Sequence, residues 1–205
     1  MRGEEYSAAP RAGHFMLQTN VGRILATLFV LVLGGCALQP PATDVEKIDR
    51  VLNLIQQRLG YMDDVARNKW NSGAAIEDLP REREIIDGIG RQAAGYGLDG
   101  EIAKDFFRAQ IEASKIIQNA RFREWRAADQ PKFEKVRDLG REIRPALDAL
   151  TPEMMKALAA ALPALRTPAG AELFTSRANS FVVGHSDLAA RDEAIAPLKR
   201  ISSDR

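Results

Sequence analysis

From residue 44 to residue 72, apolar positions recur at alternating spacings of three and four, the pattern of one helix face. The stripe runs Ile48, Val51, Ile55, Arg58, Met62, Val65, Lys69, and two of its positions are cations. Thr43-Asp44-Val45-Glu46 opens this helix with a capping-box pattern. Gly60 interrupts it without a full break, and it fades at Asn71-Ser72-Gly73. A loop over 73–79 carries Asp78, a good N-cap, with Pro80 in the first turn of a second helix. That helix turns Ile85, Ile86, Ile89 and Ala93 inward and runs to about Tyr96, where Gly97 stops it. Asp99 caps a third helix reaching about Ala128, with Phe106, Phe107, Ile111, Ile117 and Trp125 on its apolar face. A fourth begins near Pro131 and carries Phe133, Val136, Leu139, Ile143, Leu147 and Leu150, with Pro145 kinking or restarting it. Thr151-Pro152-Glu153 opens a further helix to about Leu162. Gly170, Gly184 and Pro197 divide the remainder into two short helices near 171–181 and 187–196. No segment has strand period, so the pattern predicts an all-α fold: a helical bundle with a smaller C-terminal helical lobe.

The N-terminal pattern is of another kind. Residues 24–33 (ILATLFVLVL) hold only Thr27 as a polar residue, too short a run to span a bilayer and the right length for a signal-peptide core. Arg23 precedes it, and Leu33-Gly34-Gly35-Cys36 resembles a bacterial lipobox, whose Cys is lipidated and becomes the mature N-terminus. We read residues 1–36 as a signal peptide with lipobox, 37–42 as a tether, and 43–200 as a single all-α domain. Glu4 and Glu5 do not suit a positive n-region, which makes Met16 a candidate start. A signal peptide cleaved without lipidation and a retained anchor are the alternatives. All three place the domain outside the cytoplasm, periplasmic or exported, and the lipobox reading adds a membrane contact through a lipid at Cys36. The one Cys excludes an internal disulfide.

Composition adds mainly exclusions. The chain is 45% hydrophobic and 28% charged with a net charge of +1. Residues 37–205 carry 26 basic and 26 acidic groups, so no nucleic-acid footprint is present. His14, His185 and one Cys leave little for a metal, and no cofactor or metal is expected.

The polar residues that break the helical pattern are more informative. Arg58 and Lys69 lie eleven residues apart, or roughly 16 Å at 1.5 Å per residue. A buried cation is costly unless something negative meets it. Asp78, Arg81 and Glu82 share one face at the start of the second helix. Ser114 and Gln118 are one turn apart on the third, and Arg144 lies beside the Ile143/Leu147 stripe of the fourth. In a purely structural role, Arg58 would pair with Asp78 or Glu82, and Ser114 and Gln118 would bond backbone. Against that, four cations (Arg58, Lys69, Arg81, Arg144) face at most two acids, and a small dianion would close the deficit.

Four segments then bear a family resemblance: Leu54-Ile55-Gln56-Gln57-Arg58-Leu59, Val65-Ala66-Arg67-Asn68-Lys69-Trp70, Ile76-Glu77-Asp78-Leu79-Pro80-Arg81-Glu82, and the run from Phe107 to Gln118. Their order and spacing resemble the all-helical AroQ-type chorismate mutases, and the leader and long C-terminal half resemble the secreted gamma subclass. The likeness is strong over 44–127 and is carried afterwards by Asp138-Leu139 and Arg144-Pro145-Ala146-Leu147-Asp148-Ala149-Leu150. The resemblance implies an isomerase that converts chorismate, a dicarboxylate, to prephenate by an intramolecular Claisen rearrangement, without a cofactor. It implies Arg58 and Arg144 as carboxylate clamps assisted by Ser114. Lys69 and Gln118 would be donors to the breaking ether bond. Asp78 and Glu82 would meet the ring hydroxyl, with Arg81 in support. Arg141 and Arg137 lie one and two turns before Arg144 and are its rivals for the clamp. Isochorismate pyruvate lyase activity on the same scaffold, and a non-catalytic envelope lipoprotein that binds a ligand, are the competing readings. Relatives in this family commonly dimerise, and a homodimer is open.

Overall fold

Helix α1 (Asp44–Gly60) starts on a complete capping box. The Thr43 N–H donates to Glu46 Oε2 at 2.7 Å, and the Glu46 N–H donates to Thr43 Oγ1 at 3.2 Å. At Tyr61 the chain makes a slight joint and resumes as α2 (Met62–Ser72), with the Val65 N–H bonding the Tyr61 carbonyl. The long first helix is therefore two pieces meeting where Gly60 interrupts the pattern. Gly73, at φ 71°, ends α2 in the left-handed conformation that glycine adopts without a Cβ clash. This computed structural model describes residues 42–180 and 188–203. The apolar run 24–33, Met16, Cys36, His14, Gly184 and His185 lie outside the described residues.

Helix α3 (Leu79–Gln92) is capped by the Asp78 carboxylate and passes into a 3-10 turn (Ala93–Tyr96) that Gly97 closes. Helix α4 (Gly100–Ala127) is capped by Asp99, which accepts from the Glu101 and Ile102 N–H groups. After one π turn (Leu139–Ile143), α5 runs Arg144–Leu165, followed by α6 (Pro168–Ser180) and α7 (Leu188–Ser203). Among the described residues there are no strands.

Three expectations need correction. The fourth helix does not begin near Pro131: residues 130–138 are non-helical. The Asn71 side chain takes both backbone groups of Phe133, each at 2.8 Å, and the Phe133 ring packs edge-on against Trp125. A backbone bonded this way is diverted from the helical ladder. Second, no new helix starts at Thr151, because α5 runs through Pro152. An interior proline costs about 3 kcal/mol. Burial of Met154, Met155, Leu158, Leu162 and Leu165 on this one helix outweighs it. Pro145 instead sits in the first turn of α5, where its missing N–H has no partner to lose. Third, α7 continues through the buried Pro197 to Ser203. It packs along α4, and the Gln110 side chain of α4 donates to the Ala194 carbonyl at 2.8 Å.

The core is continuous. Helix α1 lies against α5 and α6, while α4 lies against α2, α3 and α7. Ile48, Val51, Ile55, Met62 and Val65 of the original stripe are buried in it, together with Phe106, Phe107, Phe174 and Leu198. The helices of the predicted C-terminal lobe thus share one core with the bundle. At one end Trp70, Phe122, Trp125 and Phe133 stack edge to face, fixing the end of α2 against α4.

Candidate active site

The stripe that buries α1 and α2 carries Arg58 and Lys69 inward with its apolar members. Arg58 is only 9% exposed, and both side chains reach a cavity of about 670 Å³. All eight residues singled out from sequence line it: Arg58, Lys69, Asp78, Arg81, Glu82, Ser114, Gln118 and Arg144. Met62, Val65, Ile85, Ile89, Phe107, Ile111 and Leu147 make its apolar wall. Of the three arginines competing on the fourth segment, only Arg144 is on the wall. Arg137 pairs with Asp64 at 3.2 Å and lies over the Tyr61 ring, and Arg141 is exposed.

The structural pairing expected for Arg58 does not form. Its guanidinium has no hydrogen-bond or ion-pair partner among the described residues, and the fully enclosed Nε is an orphan. Burial pushes Arg58 down to about 10, and Asp148 offsets part of that at a distance. The two candidate acids are engaged elsewhere. Asp78 accepts from the Arg81 N–H at 3.3 Å and lies 3.6 Å from the Arg144 guanidinium. Glu82 accepts from the Asp78 N–H with one oxygen and from Lys115 with the other.

Lys69 donates to the Ile76 carbonyl at 2.6 Å, using one of its three N–H groups. Burial is the largest influence on it and lowers its pKa; Asp78 raises it, Arg144 lowers it and Glu82 raises it, leaving Lys69 below the ordinary lysine value. Arg81 bonds Glu84 at 2.7 Å, which raises it, and reaches Asp148 at 3.3 Å.

Ser114 and Gln118 are 6% and 4% exposed and do bond backbone. The Ser114 hydroxyl donates to the Gln110 carbonyl at 2.7 Å, and Gln118 Nε2 donates to the Ser114 carbonyl at 3.0 Å. Neither group is used up. The second Gln118 N–H meets only the Met62 sulfur at 3.9 Å, a weak acceptor, and Gln118 Oε1 has no partner.

Sequence reasoning gave no role to four charged residues of the wall: Asp148, Lys115, Glu84 and Arg91. Asp148 stands one turn after Arg144 on α5, a spacing that could have flagged it. With these included, the wall holds six cations and four acids, and the excess of two positive charges persists. A larger open void of about 900 Å³ on the far side of the 74–77 loop contains only Lys69 of the expected set. Among the described residues no three His, Cys, Asp or Glu side chains gather as a metal would require.

Comparison with known proteins gives the family. The family described as chorismate mutase type II matches residues 43–119. A secreted chorismate mutase of Mycolicibacterium smegmatis is 31% identical over 147 residues, covering 71% of this chain and 80% of that protein. The secreted chorismate mutase of Yersinia pestis is 33% identical over 117 residues, or 57% of this chain and 59% of that one. Among solved structures, a chorismate mutase from Burkholderia thailandensis superposes with a TM-score of 0.65 at 34% identity, over 76% of this chain and 98% of that one. The Yersinia pestis enzyme gives 0.58 at 27% identity, over 73% and 94%. The apolar stripe with its two cations, the acid-capped α3 and the polar face of α4 all lie within the matched stretch, and the chain belongs to the type II chorismate mutases.

Proposed function

We propose that this chorismate mutase binds chorismate as a folded dianion in the 670 Å³ cavity and rearranges it to prephenate by electrostatic positioning alone. The observation that carries this is Arg58: a buried guanidinium with no protein acceptor, in a wall with two surplus positive charges. Arg58 and Arg144 hold the two carboxylates, and Ser114 turns its hydroxyl from the Gln110 carbonyl to assist. Lys69 and Gln118 donate to the ether oxygen as its bond to the ring breaks and negative charge grows there. Asp78 and Glu82 accept from the ring hydroxyl, with Arg81 braced behind them by Glu84 and Asp148. The reaction is unimolecular and pericyclic, so no nucleophile or proton transfer is needed. Donors already placed in a dry site supply the stabilisation. An amide at position 118 donates at any pH, so the rate needs no acidic medium.

Adding chorismate to the purified full chain and following its loss tests the reading. Stoichiometric prephenate is the expected product; pyruvate release would move the chain to the lyase reading, and no turnover would sink catalysis altogether. The same proposal includes export, in keeping with relatives named as secreted enzymes. Residues 24–33 direct it and a lipid on Cys36 retains the domain at a membrane outside the cytoplasm. Mass spectrometry of the mature N-terminal peptide should show an acylated Cys36, and Cys36→Ser should release the enzyme into the soluble fraction.

A further inference from the structure

Lys115 has no part in the chemistry proposed above, yet it is the most heavily partnered cation of the wall. It follows Ser114 on α4 and is 16% exposed. Its ammonium lies 2.6 Å from Glu112, 3.2 Å from Glu82 and 3.9 Å from Glu77. Two of those acids flank the start of α3: Glu77 in the loop that leads into it and Glu82 in its first turn. Ile76, Glu77 and Asp78 are consecutive: Ile76 gives Lys69 its carbonyl, Glu77 faces Lys115, and Asp78 caps the helix. Glu82 closes the same turn from the other side, accepting the Asp78 N–H with the oxygen that Lys115 does not hold. One ammonium on α4 therefore grips the turn on both sides of Asp78.

We infer that Lys115 is a positioning residue for the rearrangement: it engages the Glu82 carboxylate, so that Lys69 keeps its free N–H groups for the substrate oxygen. Glu82 and Lys69 line the same cavity without an ion pair between them. The other charges around Lys69 are Asp78 at the head of α3, Arg144 on α5 and Arg58 on α1. Asp78 is held by its cap and by Arg144, which leaves Glu82, held otherwise only by the Asp78 N–H, as the acid with a single cationic partner. If Lys115 lost its charge, Glu82 would be free to turn toward the one other ammonium of the cavity wall, Lys69. That would spend a donor and tie Lys69 to a carboxylate that opposes the negative charge growing on the ether oxygen. The field of Glu82 already acts to raise Lys69, and a freed Glu82 would raise it further.

This rests on the reading that Lys69 serves the ether oxygen, and the experiment separates the two. Steady-state pH profiles are measured on the full chain for wild type, Lys115→Met, Lys115→Arg and Lys115→Met/Glu82→Gln. Lys115→Met should lower kcat/KM by about tenfold or more. It should also move the alkaline limb of kcat/KM upward by about half a pH unit or more. Lys115→Arg, which can hold the same acids, should keep both within about threefold. Removing the Glu82 carboxylate in the double variant should return the limb to the wild-type position or below. A limb that stays put in Lys115→Met, with or without loss of rate, overturns the proposal, because a merely structural lysine would change the rate without moving it. If Lys115→Met does not fold, Lys115→Gln, which keeps a donor and removes the charge, is read by the same limb. A wild-type chain that fails to turn over chorismate overturns the functional reading itself, and this inference with it.

Discussion

Arg58 and Lys115 are both largely buried cations facing one cavity from adjoining helices, and the fold treats them oppositely. Lys115 is met by three carboxylates. Burial is the largest influence on it and lowers its pKa, but the hydrogen bonds to Glu112 and Glu82 outweigh that and it ends above the ordinary lysine value. Arg58 is met by none, and burial holds it at about 10. A partnered cation has already recovered its desolvation cost and serves as framework. An unpartnered one carries that cost in the empty enzyme and recovers it only when an anion arrives. The contrast therefore separates the residues that build the cavity from those kept for its contents without reference to any relative.

The largest effect should come from Lys69. Lys69→Ala removes a donor from the breaking bond, and by analogy with oxyanion-hole donors should cost on the order of 3 kcal/mol of transition-state stabilisation, read as kcat/KM. In the wild type the donor is lost as pH rises through the Lys69 pKa, which lies below the ordinary lysine value. The alkaline limb of kcat/KM should therefore fall earlier than for a free lysine, and Lys69→Arg should push it beyond reach. If Lys69→Ala left the rate intact, the idea that cations without an acid partner are the working ones would fail.

Arg58→Leu tests the contrast most directly, because activity and stability should move in opposite directions. The charge is disfavoured in the fold at every pH below about 10, and that cost disappears only as pH rises from there toward the ordinary arginine value, where the unfolded chain also loses its proton. A gap of this size corresponds to on the order of 3 kcal/mol. Arg58→Leu should thus lose roughly a hundredfold in kcat/KM while raising the denaturant midpoint of the empty protein. Lys115→Met should instead lower that midpoint, by the equivalent of about 1–2 kcal/mol of stability. Equal signs for the two variants would break the comparison.

Smaller effects sharpen it. Gln118→Glu replaces a donor that works at any pH with one that must be protonated, so the rate should shift toward acid and fall about tenfold or more at neutrality. A wild-type rate that already climbs steeply below pH 6 would remove Gln118 from its role. Arg144 is 45% exposed and shared with Asp78 at 3.6 Å, intermediate between the two extremes. Arg144→Ala should act mainly on KM, by about tenfold.

How much of this was readable before folding depended on whether the cause was local. The caps at Thr43, Asp78 and Asp99 and the stripe from Ile48 to Lys69 follow from spacing along one helix, and the structure holds them as read. The eight candidate residues that line the cavity were legible because Arg58 and Lys69 break an apolar stripe and the others lie on or beside helix faces of regular period. What could not be read depends on partners distant in sequence. Residues 130–138 leave the helix because Asn71, some sixty positions earlier, claims the backbone of Phe133. Pro152 and Pro197 stay inside helices because those helices bury large apolar faces against α1 and α4. Lys115 drew no role from the sequence because its acids Glu77 and Glu82 come from a turn that only the packed bundle brings near.

Arg144 has one more consequence. It completes the cation set from α5 of the same chain, so a single polypeptide holds every group that the proposed chemistry uses. Dilution cannot then take the catalytic unit apart. Specific activity should stay constant from micromolar to picomolar enzyme, whatever the state of association. A catalyst of this kind tolerates sparse, immobile placement, one copy at a time, which is what the proposed lipid tether would impose.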